Sequence, residues 1–339
     1  MIDRHDLADR FIAATDWAGA TRKPLAGDAS NRRYERLHLD GRTAVLMDAP
    51  REKGEDIRPF MRIARFLRDA GLSAPALLAE DTEHGFLLLE DLGDDLFARV
   101  IPREPALEQS LYEAATDALI HLHQFSPPDD VKPYDANIML EMAALAWRWY
   151  LGGALGEDSG SETAFRTAFA PILRAHVDNA SVLIQRDYHA ENLLWLPDRV
   201  GPARVGLLDF QDAMKGHPAY DLVSVLQDAR RDVPPAVEET MIKRYIAATG
   251  AEEGAFRAAY AVLGVQRNLR ILGVFGRLCL MNGKPGYVDL IPRVWNLLLS
   301  DLKHAALLPV ANLITEALPA QTSDILARLR EKCATIPKP

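Results

Sequence analysis

Two short apolar segments near the middle of the chain place the strictest limits on its fold. Residues 193–196 read LLWL and residues 204–208 read RVGLL, with a Pro-Asp-Arg turn between them. Short apolar runs separated by turn residues are typical of a β-hairpin. Asn192 precedes the first run, Asp209 follows the second, and Asp187 lies five residues before Asn192. We therefore expect these three polar side chains to meet at one edge of the hairpin.

Two carboxylates and one amide at a common point match the needs of phosphoryl transfer. Asp and Asn supply the hard oxygen ligands that Mg²⁺ prefers, and a further carboxylate can accept the proton of an attacking hydroxyl. The pattern D-x-x-x-x-N, followed seventeen residues later by D-F, therefore indicates a site for a magnesium nucleotide.

The composition indicates a soluble globular chain. Its 339 residues are 48% hydrophobic and 26% charged, and the net charge is −9. This charge disfavours nucleic acid and anionic membranes as partners, because both attract dense Lys and Arg. No signal-peptide block and no run of about 18 apolar residues occurs. We expect a cytoplasmic location with no nucleic-acid or membrane partner.

The two cysteines, Cys279 and Cys333, stand far apart in the sequence and form no C-x-x-C pair. Neither a disulfide framework nor a zinc site is therefore indicated. Both are expected to be small, reduced side chains.

The secondary-structure pattern changes along the chain. Residues 23–50 suggest three antiparallel strands, with the Asp40-Gly41 pair as a strong hairpin signal. A helix is predicted in 55–70 and a short strand in 86–89. Helical periodicity dominates the remainder, in 107–122, 138–150, 164–183, 218–230, 235–249, 255–281 and 288–308.

This change predicts an α+β fold in two unequal lobes. The N-terminal lobe, 1–91, would be a small antiparallel sheet plus a helix. The C-terminal lobe, 92–339, would be mainly helical.

The segments QRDYHAEN and LLDFQDAMKGHPAYDL resemble the catalytic loop and metal-binding segment of the aminoglycoside phosphotransferase superfamily, whose two-lobe fold is protein-kinase-like. The resemblance implies ATP and Mg²⁺ as cofactors, with nucleotide in the N-terminal lobe and the substrate site in the C-terminal lobe. It gives Asp187 the role of catalytic base and makes Asn192 and Asp209 the magnesium ligands. Asp221 occupies a position that usually supports the catalytic loop, whereas Gln185 replaces a common His.

Five residues are assigned to the nucleotide. Gly27, Ser30 and Asn31 belong to a Gly-Asp-Ala-Ser-Asn turn whose backbone N–H groups can approach phosphate oxygens. No G-K-[ST] follows, so the turn is not a Walker A loop, and a simple hairpin turn is the alternative. Glu90 and Leu92 are expected to offer backbone groups to adenine.

The third strand departs from the family pattern. Kinases of this fold usually carry a basic residue there for the α- and β-phosphates, and this chain has Met47 and Asp48. Arg32, Arg33 and Arg58 are candidates to replace it, because a guanidinium binds phosphate with two hydrogen bonds. The choice among them stays open.

A narrower resemblance lies in GDASNRRYERL, VLMDAP, LLDFQDA and QRNLRILGVFGRL. Together they are similar to the bacterial anomeric kinases that phosphorylate N-acetylmuramate and N-acetylglucosamine in cell-wall sugar recycling. A small-molecule amino sugar is therefore the expected substrate, and a monomer the expected state.

Five side chains are candidates for substrate binding. Arg267 and Arg270 recur with Arg277 at helical spacing in an apolar stretch, either as a solvated helix face or as a cationic wall that could pair with the lactyl carboxylate of muramate. Gln211 and Asp212 could hydrogen-bond sugar hydroxyls or the acetamido group. His189 could contact the transferred phosphate or the substrate, or only nearby backbone.

Two alternatives remain open at this point. One is a kinase of the same superfamily that acts on an aminoglycoside, choline, homoserine or a ketosamine. The other is a nucleotide-binding pseudokinase, which the missing third-strand base favours and the joint presence of Asp187, Asn192 and Asp209 disfavours.

Overall fold

The computed structural model describes residues 3–25, 31–156 and 160–337. Its strands are β1 Thr21–Pro24, β2 Arg33–Leu39, β3 Arg42–Asp48, β4 Leu77–Asp81, β5 Phe86–Glu90, β6 Val182–Ile184, β7 Leu193–Trp195, β8 Val205–Leu207 and β9 Met214–Gly216. Its α-helices are α1 Arg4–Ala13, α2 Arg58–Asp69, α3 Phe97–Arg103, α4 Glu108–Leu122, α5 Ala136–Ala143, α6 Gly152–Leu155, α7 Ser161–His176, α8 Ala219–Leu226, α9 Pro235–Thr249, α10 Glu253–Leu280, α11 Ile291–Asp301, α12 Leu308–Ala317 and α13 Ser323–Glu331. A π-helical turn spans Ala146–Leu151.

The chain divides by its contacts into two compact units. Unit 1 comprises Met1–Pro128 and Ala190–Ala213, and unit 2 comprises Asp129–His189 and Met214–Pro339. These units are a different division from the two lobes expected from the sequence, whose boundary after residue 91 stays a prediction.

Unit 1 contains a five-stranded antiparallel sheet in the order β1-β2-β3-β5-β4. The turn between β2 and β3 places Asp40 at φ 49° and Gly41 at φ 77°. Two successive positive φ angles belong to the tight hairpin turn that Asp-Gly favours. The three strands and the hairpin predicted from residues 23–50 are confirmed.

Side-chain alternation gives the two faces of this sheet different partners. Leu37, Ala44 and Leu46 pack in one cluster with Ala8 and Ile12 of α1. Because successive residues of a strand point to opposite faces, Arg36 and Val45 lie on the other face. The sequence analysis did not predict α1, whose sequence is rich in charged residues and has only Ala8 and Ile12 fully buried.

The short hairpin at the centre of the chain also forms as predicted. Strands β7 and β8 pair antiparallel, with Leu193 opposite Leu207. The N–H of Leu208 donates to the carbonyl of Asn192 at 3.0 Å. A parallel bridge joins Ser73 to Gly206 and attaches the hairpin to the rest of unit 1.

Unit 2 is organised around α10, which is buried along most of its 28 residues. The carboxylate of Glu252 caps its first turn by accepting from the N–H groups of Gly254 and Ala255. The π-helical turn lies against α10 where Gly276 leaves room for the carbonyl of Trp149. The long helix predicted at 255–281 is confirmed.

Within 3–25, 31–156 and 160–337, every helix taken singly is too short or too polar to cross a membrane. The segments Pro285–Asp301 and Ala305–Ala317 meet the length and hydropathy of a span only as a pair, and they are bent by 100°.

The close approach at Gly276 makes a testable prediction about stability. A Cβ at this position would lie 2.6 Å from the Trp149 carbonyl oxygen, so Gly276→Ala should lower the free energy of unfolding by about 1–3 kcal/mol, in spite of the higher helix propensity of Ala. Urea unfolding measures the loss. Gly286→Ala is the matched control, because a Cβ there meets nothing within 4 Å; equal stability of the two variants would contradict the packing argument.

Candidate active site

Unit 1 contains a cavity of about 350 Å³, a size suited to a small-molecule ligand. One wall is the sheet face opposite α1, with Arg36 and Val45 among its residues. The cavity also reaches Leu92, just beyond β5, and the two ends of the β7–β8 hairpin at Asn192 and Asp209. Asn192 and Asp209 therefore face a space that is lined by both apolar and charged side chains.

The hairpin register brings Asn192 and Asp209 together. Their side chains approach to 3.5 Å between Nδ2 and Oδ2. Asp209 has φ 58°, a left-handed conformation that costs energy for a residue other than glycine and is concentrated at functional sites. A carboxylate and an amide that can turn its oxygen inward are a donor set that fits Mg²⁺.

Gln211 and Asp212, expected to bind substrate, differ in their surroundings. The Nε2 of Gln211 donates to Oδ1 of Asp209 at 2.7 Å, so this amide orients the carboxylate. Asp212 is exposed. Substrate binding by either residue stays a prediction.

Arg36 is a cavity residue that the sequence did not single out. Its Nε lies 2.8 Å from Asp91 Oδ2, and its Nη1 and Nη2 donate to the two oxygens of Asp94 at 2.7 and 3.0 Å. The hydrogen bond to Asp94 is the largest cause of a raised Arg36 pKa. The guanidinium therefore ties β2 to the segment that follows β5, and its charge is more than balanced by two carboxylates.

Glu90 and Leu92, expected beside adenine, both line the cavity. The backbone N–H of Glu90 donates to the carbonyl of Ala76 at 2.9 Å. Its carboxylate accepts from Arg199 at 2.6 Å and from Arg68 at 3.3 Å. The Glu90 side chain thus connects the end of β5 to Arg199 and Arg68 within unit 1. The adenine contact stays a prediction.

The predicted phosphate-contacting turn is only partly visible. Gly27 and Ser30 lie outside the described residues. Asn31 donates its N–H to Glu55 Oε1 at 3.1 Å and its Nδ2 to the Lys53 carbonyl at 3.3 Å. Arg32 also binds Glu55, with Nε to Oε2 at 2.9 Å.

The other two candidates for the missing basic group are more exposed. Arg58 pairs with Asp56, two residues earlier, at 2.8 Å, and its side chain is 67% exposed. Arg33 is exposed as well. Arg36 and Arg99 line the cavity, so the sequence-based candidate list missed the two arginines at its wall.

In unit 2 a buried carboxylate supports the loop that carries Asp187. Asp221 accepts the N–H of Gln185 at 2.6 Å with Oδ2 and the N–H of Arg186 at 2.9 Å with Oδ1. The support predicted for Asp221 is confirmed. Burial raises its pKa to about 7, although both N–H groups oppose the shift.

Asp187 lies beside the cations of α10. Its Oδ1 is 4.0 Å from Nη2 of Arg270, and its side chain is 34% exposed. Burial would raise the pKa of Asp187, but the positive charges of Arg270 and Arg267 outweigh it and hold the pKa below the usual range. The carboxylate is therefore ionised at neutral pH and accessible on one side.

His189 is buried next to Arg230, with 3.4 Å between Nη1 of Arg230 and Nε2 of His189. Burial lowers the pKa of His189 to about 4, although Asp228 acts in the opposite direction. The imidazole is therefore neutral near pH 7. Contact with substrate or phosphate stays a prediction.

The arginines of α10 do not share one environment. Arg267 is only 4% exposed and its Nη1 donates to the Gln227 carbonyl at 3.4 Å. Arg270 is nearly buried and faces Asp187, whereas Arg277 is exposed. The solvated-face interpretation is therefore wrong for Arg267 and Arg270, because α10 is enclosed on most sides; helical spacing in the sequence does not show how many sides are covered.

The predicted site residues fall into two groups. Asn192 and Asp209 meet in unit 1, together with Gln211. Asp187 and Arg270 meet in unit 2. The division between the units passes between His189 and Ala190.

Comparisons with known proteins agree on the family. The model of the phosphotransferase enzyme family matches residues 21–259. A Caulobacter vibrioides protein named N-acetylmuramate/N-acetylglucosamine kinase is 38% identical over 332 residues, which cover 86% of this chain and 91% of that one. A Pseudomonas aeruginosa protein of the same name is 35% identical, with 81% and 82% covered.

A solved aminoglycoside phosphotransferase with bound ADP aligns with a TM-score of 0.59 at 14% identity, covering 92% of this chain and 99% of that one. This likeness concerns the fold. With the family match, it confirms the predicted α+β, protein-kinase-like fold.

The raised pKa of Asp221 makes a testable prediction about pH. A carboxyl whose folded-state pKa is raised to about 7 contributes stability that is complete below its unfolded-state pKa of about 3.9 and is lost as the pH rises through 7. Asp221→Asn cannot titrate. Its destabilisation relative to the wild type, measured by urea unfolding, should therefore be largest near about pH 4 and should shrink as the pH rises toward about 8.

Ser224→Ala is the control for this experiment, because its hydroxyl contacts the same loop through a 3.3 Å bond to the Arg186 carbonyl and does not titrate. Its effect should be independent of pH. A constant difference between wild type and Asp221→Asn would show that the carboxyl has an ordinary pKa.

Proposed function

The chain belongs to the phosphotransferase enzyme family, and on this premise we propose that it uses ATP to phosphorylate the anomeric hydroxyl of N-acetylmuramate, N-acetylglucosamine or both. The observation that carries the kinase chemistry is the Asn192–Asp209 pair on the wall of a cavity of about 350 Å³. The acceptor is supported by the names of relatives that are 38% and 35% identical over most of their length.

ATP is proposed to bind in the unit 1 cavity. Val45 and Leu89 provide apolar surface for a purine, and Glu90 and Leu92 lie at the same wall. Asn192 and Asp209 would hold Mg²⁺, which supplies charge neutralisation for the phosphates. Gln211 keeps one oxygen of Asp209 in place through its 2.7 Å bond.

Asp187 is proposed to accept the proton of the acceptor hydroxyl. The positive charges of Arg270 and Arg267 keep this carboxylate ionised, as a proton acceptor has to be. The anomeric hydroxyl is more acidic than an ordinary alcohol, because the ring oxygen withdraws electron density from the carbon that carries it. Its proton is therefore transferred to a given base more readily than the proton of a primary or secondary alcohol.

Substrate contacts are proposed at the residues that the sequence selected. Arg270 retains 15% side-chain exposure beside Asp187 and could approach an anionic substituent such as the lactyl carboxylate. Arg267 is more enclosed and is proposed to act through its charge. Gln211 and Asp212 are proposed to contact sugar hydroxyls or the acetamido group, and His189 is proposed to contact the transferred phosphate or the substrate.

The direct test is an acceptor screen with Mg·ATP, in which ADP formation and the phosphorus NMR spectrum of the product are followed. N-acetylmuramate and N-acetylglucosamine should each yield ADP and an anomeric phosphate resonance. Their methyl glycosides, which lack the free anomeric hydroxyl, should yield neither. Turnover only with an aminoglycoside or choline would keep the kinase chemistry and refute the amino-sugar acceptor, and no ADP with any acceptor would favour the pseudokinase.

The role of Asp187 is tested by Asp187→Asn, which keeps the shape and removes the acceptor for the proton. We expect the turnover number to fall at least about a hundredfold, while ATP affinity, measured by calorimetry, stays unchanged. The control is Asp198→Ala, an exposed carboxylate in the β7–β8 turn, which should keep full activity. Substantial turnover by Asp187→Asn would exclude the carboxylate as the base.

Arg36 is expected to matter for the nucleotide and not for the sugar. Arg36→Met removes the bonds that hold Asp91 and Asp94 at the cavity wall, so the KM for ATP should rise by roughly tenfold, the equivalent of about 1.4 kcal/mol. The KM for the sugar should not change. Arg65→Met, which removes a pair with Glu80 at an exposed position, is the matched control and should leave both constants unaltered.

A further inference from the structure

Two thiols that are distant in the sequence meet in unit 2. Cys279 lies near the C-terminal end of α10 and is fully buried, and Cys333 follows α13 and is partly exposed. Their sulfur atoms are 2.7 Å apart. Both are free thiols in the structure, so this proximity results from the packing of the backbone and not from a covalent bond.

Backbone contacts fix the approach of the two cysteines. The N–H of Ala334 donates to the Cys279 carbonyl at 2.9 Å, and the N–H of Ile336 donates to the Leu280 carbonyl at 3.1 Å. The Cys333 thiol also donates to the Cys279 carbonyl at 3.0 Å. On the other side of the segment, Lys332 Nζ donates to the Gly153 carbonyl at 2.8 Å. These bonds hold the segment after α13 along the end of α10, so side-chain adjustment alone can bring the sulfurs to bonding distance.

We propose that Cys279 and Cys333 are a modification site: they form an intramolecular disulfide when the chain meets a low-molecular-weight disulfide oxidant such as glutathione disulfide. The Cys333 thiolate attacks one glutathione sulfur, and the first glutathione leaves as a thiol. The Cys279 thiolate then attacks the Cys333 sulfur, and the second glutathione leaves. Two electrons pass to the oxidant, and the two protons lost by the cysteines end on the two glutathione thiols.

Accessibility sets the order of these two steps. Cys333 is the partly exposed thiol, so the oxidant reaches it first. Burial raises the pKa of Cys279 to about 12, and the hydrogen bond with Cys333 adds to this shift. Since the thiolate is the attacking species, closure should be slower than formation of the mixed disulfide and should accelerate as the pH is raised.

The bond would join α13 to the helix that carries Arg270. It would close the loop from residue 279 to residue 333 and so restrict the unfolded chain. The oxidised protein should therefore melt several degrees above the reduced one. This effect is independent of the proposed kinase activity, since melting is measured without ATP or acceptor.

The test is incubation of the full chain in glutathione disulfide, followed by intact mass measurement and thiol titration after denaturation. The wild type should lose two hydrogen atoms in mass, should show no free thiols and should stay a single chain on a non-reducing gel. Two free thiols, a persistent glutathione adduct or a disulfide-linked dimer would each overturn the proposal.

Single-cysteine variants identify the partners. Cys279→Ala should hold one glutathione permanently on Cys333, and its melting temperature should not rise on oxidation. Cys333→Ser removes the partly exposed thiol. Its remaining thiol, Cys279, should not react with glutathione disulfide, because it is buried. Rapid modification of Cys279 in Cys333→Ser would contradict the proposed order. No rise in melting temperature for the oxidised wild type would contradict the tether.

Discussion

A single buried carboxylate holds the part of unit 2 on which the candidate base depends. Asp221 is fully buried, and its two carboxylate oxygens accept hydrogen bonds from the consecutive N–H groups of Gln185 and Arg186. Arg186 is held at φ 73°, a conformation that a residue with a Cβ keeps only when its surroundings impose it. Asp187 follows directly, so the direction of its side chain depends on this contact. Gln185 occupies the position of the usual family His, and its backbone alone supplies the bond.

The charge around Asp187 contrasts with the charge of the chain as a whole. The protein carries a net −9, yet Arg267 and Arg270 are enclosed beside this carboxylate, and Arg186 stacks over the Tyr134 ring at 5.6 Å. Buried charges are little screened by salt and interact strongly with their neighbours. This local positive field stabilises the ionised carboxylate and suits a reaction that handles phosphate. The formal charge of the sequence gives no indication of it.

The third strand of the unit 1 sheet has Met47 and Asp48 where the family resemblance leads us to expect a basic residue. Met47 is buried on the same face as Val45 and lies opposite Tyr34 in β2. Arg36 reaches the cavity from β2, but its hydrogen bonds are already committed to Asp91 and Asp94. It could serve a phosphate only by giving up one of these carboxylates. A structural role at the cavity wall is therefore the simpler interpretation of Arg36.

Patterns of neighbouring residues were sufficient to predict the hairpins, the long helix and the fold class. Alternation and turn chemistry are local, and both the Asp40-Gly41 turn and the β7–β8 pairing follow from them. The approach of Asn192 to Asp209 follows from that pairing. The functional roles of these residues remain predictions, as do the lobe boundary and the sugar contacts.

Other features depend on contacts between distant parts of the chain. The sequence determined which residues could act as base and metal ligands, because the motifs D-x-x-x-x-N and L-L-D-F each lie within a few consecutive residues and can be recognised without the structure. Only the tertiary structure decided that Arg267 is buried, that Arg36 lines the cavity and that Cys333 lies against Cys279. The physical reason is that burial and proximity depend on everything packed around a residue, whereas a sequence pattern records only its neighbours along the chain.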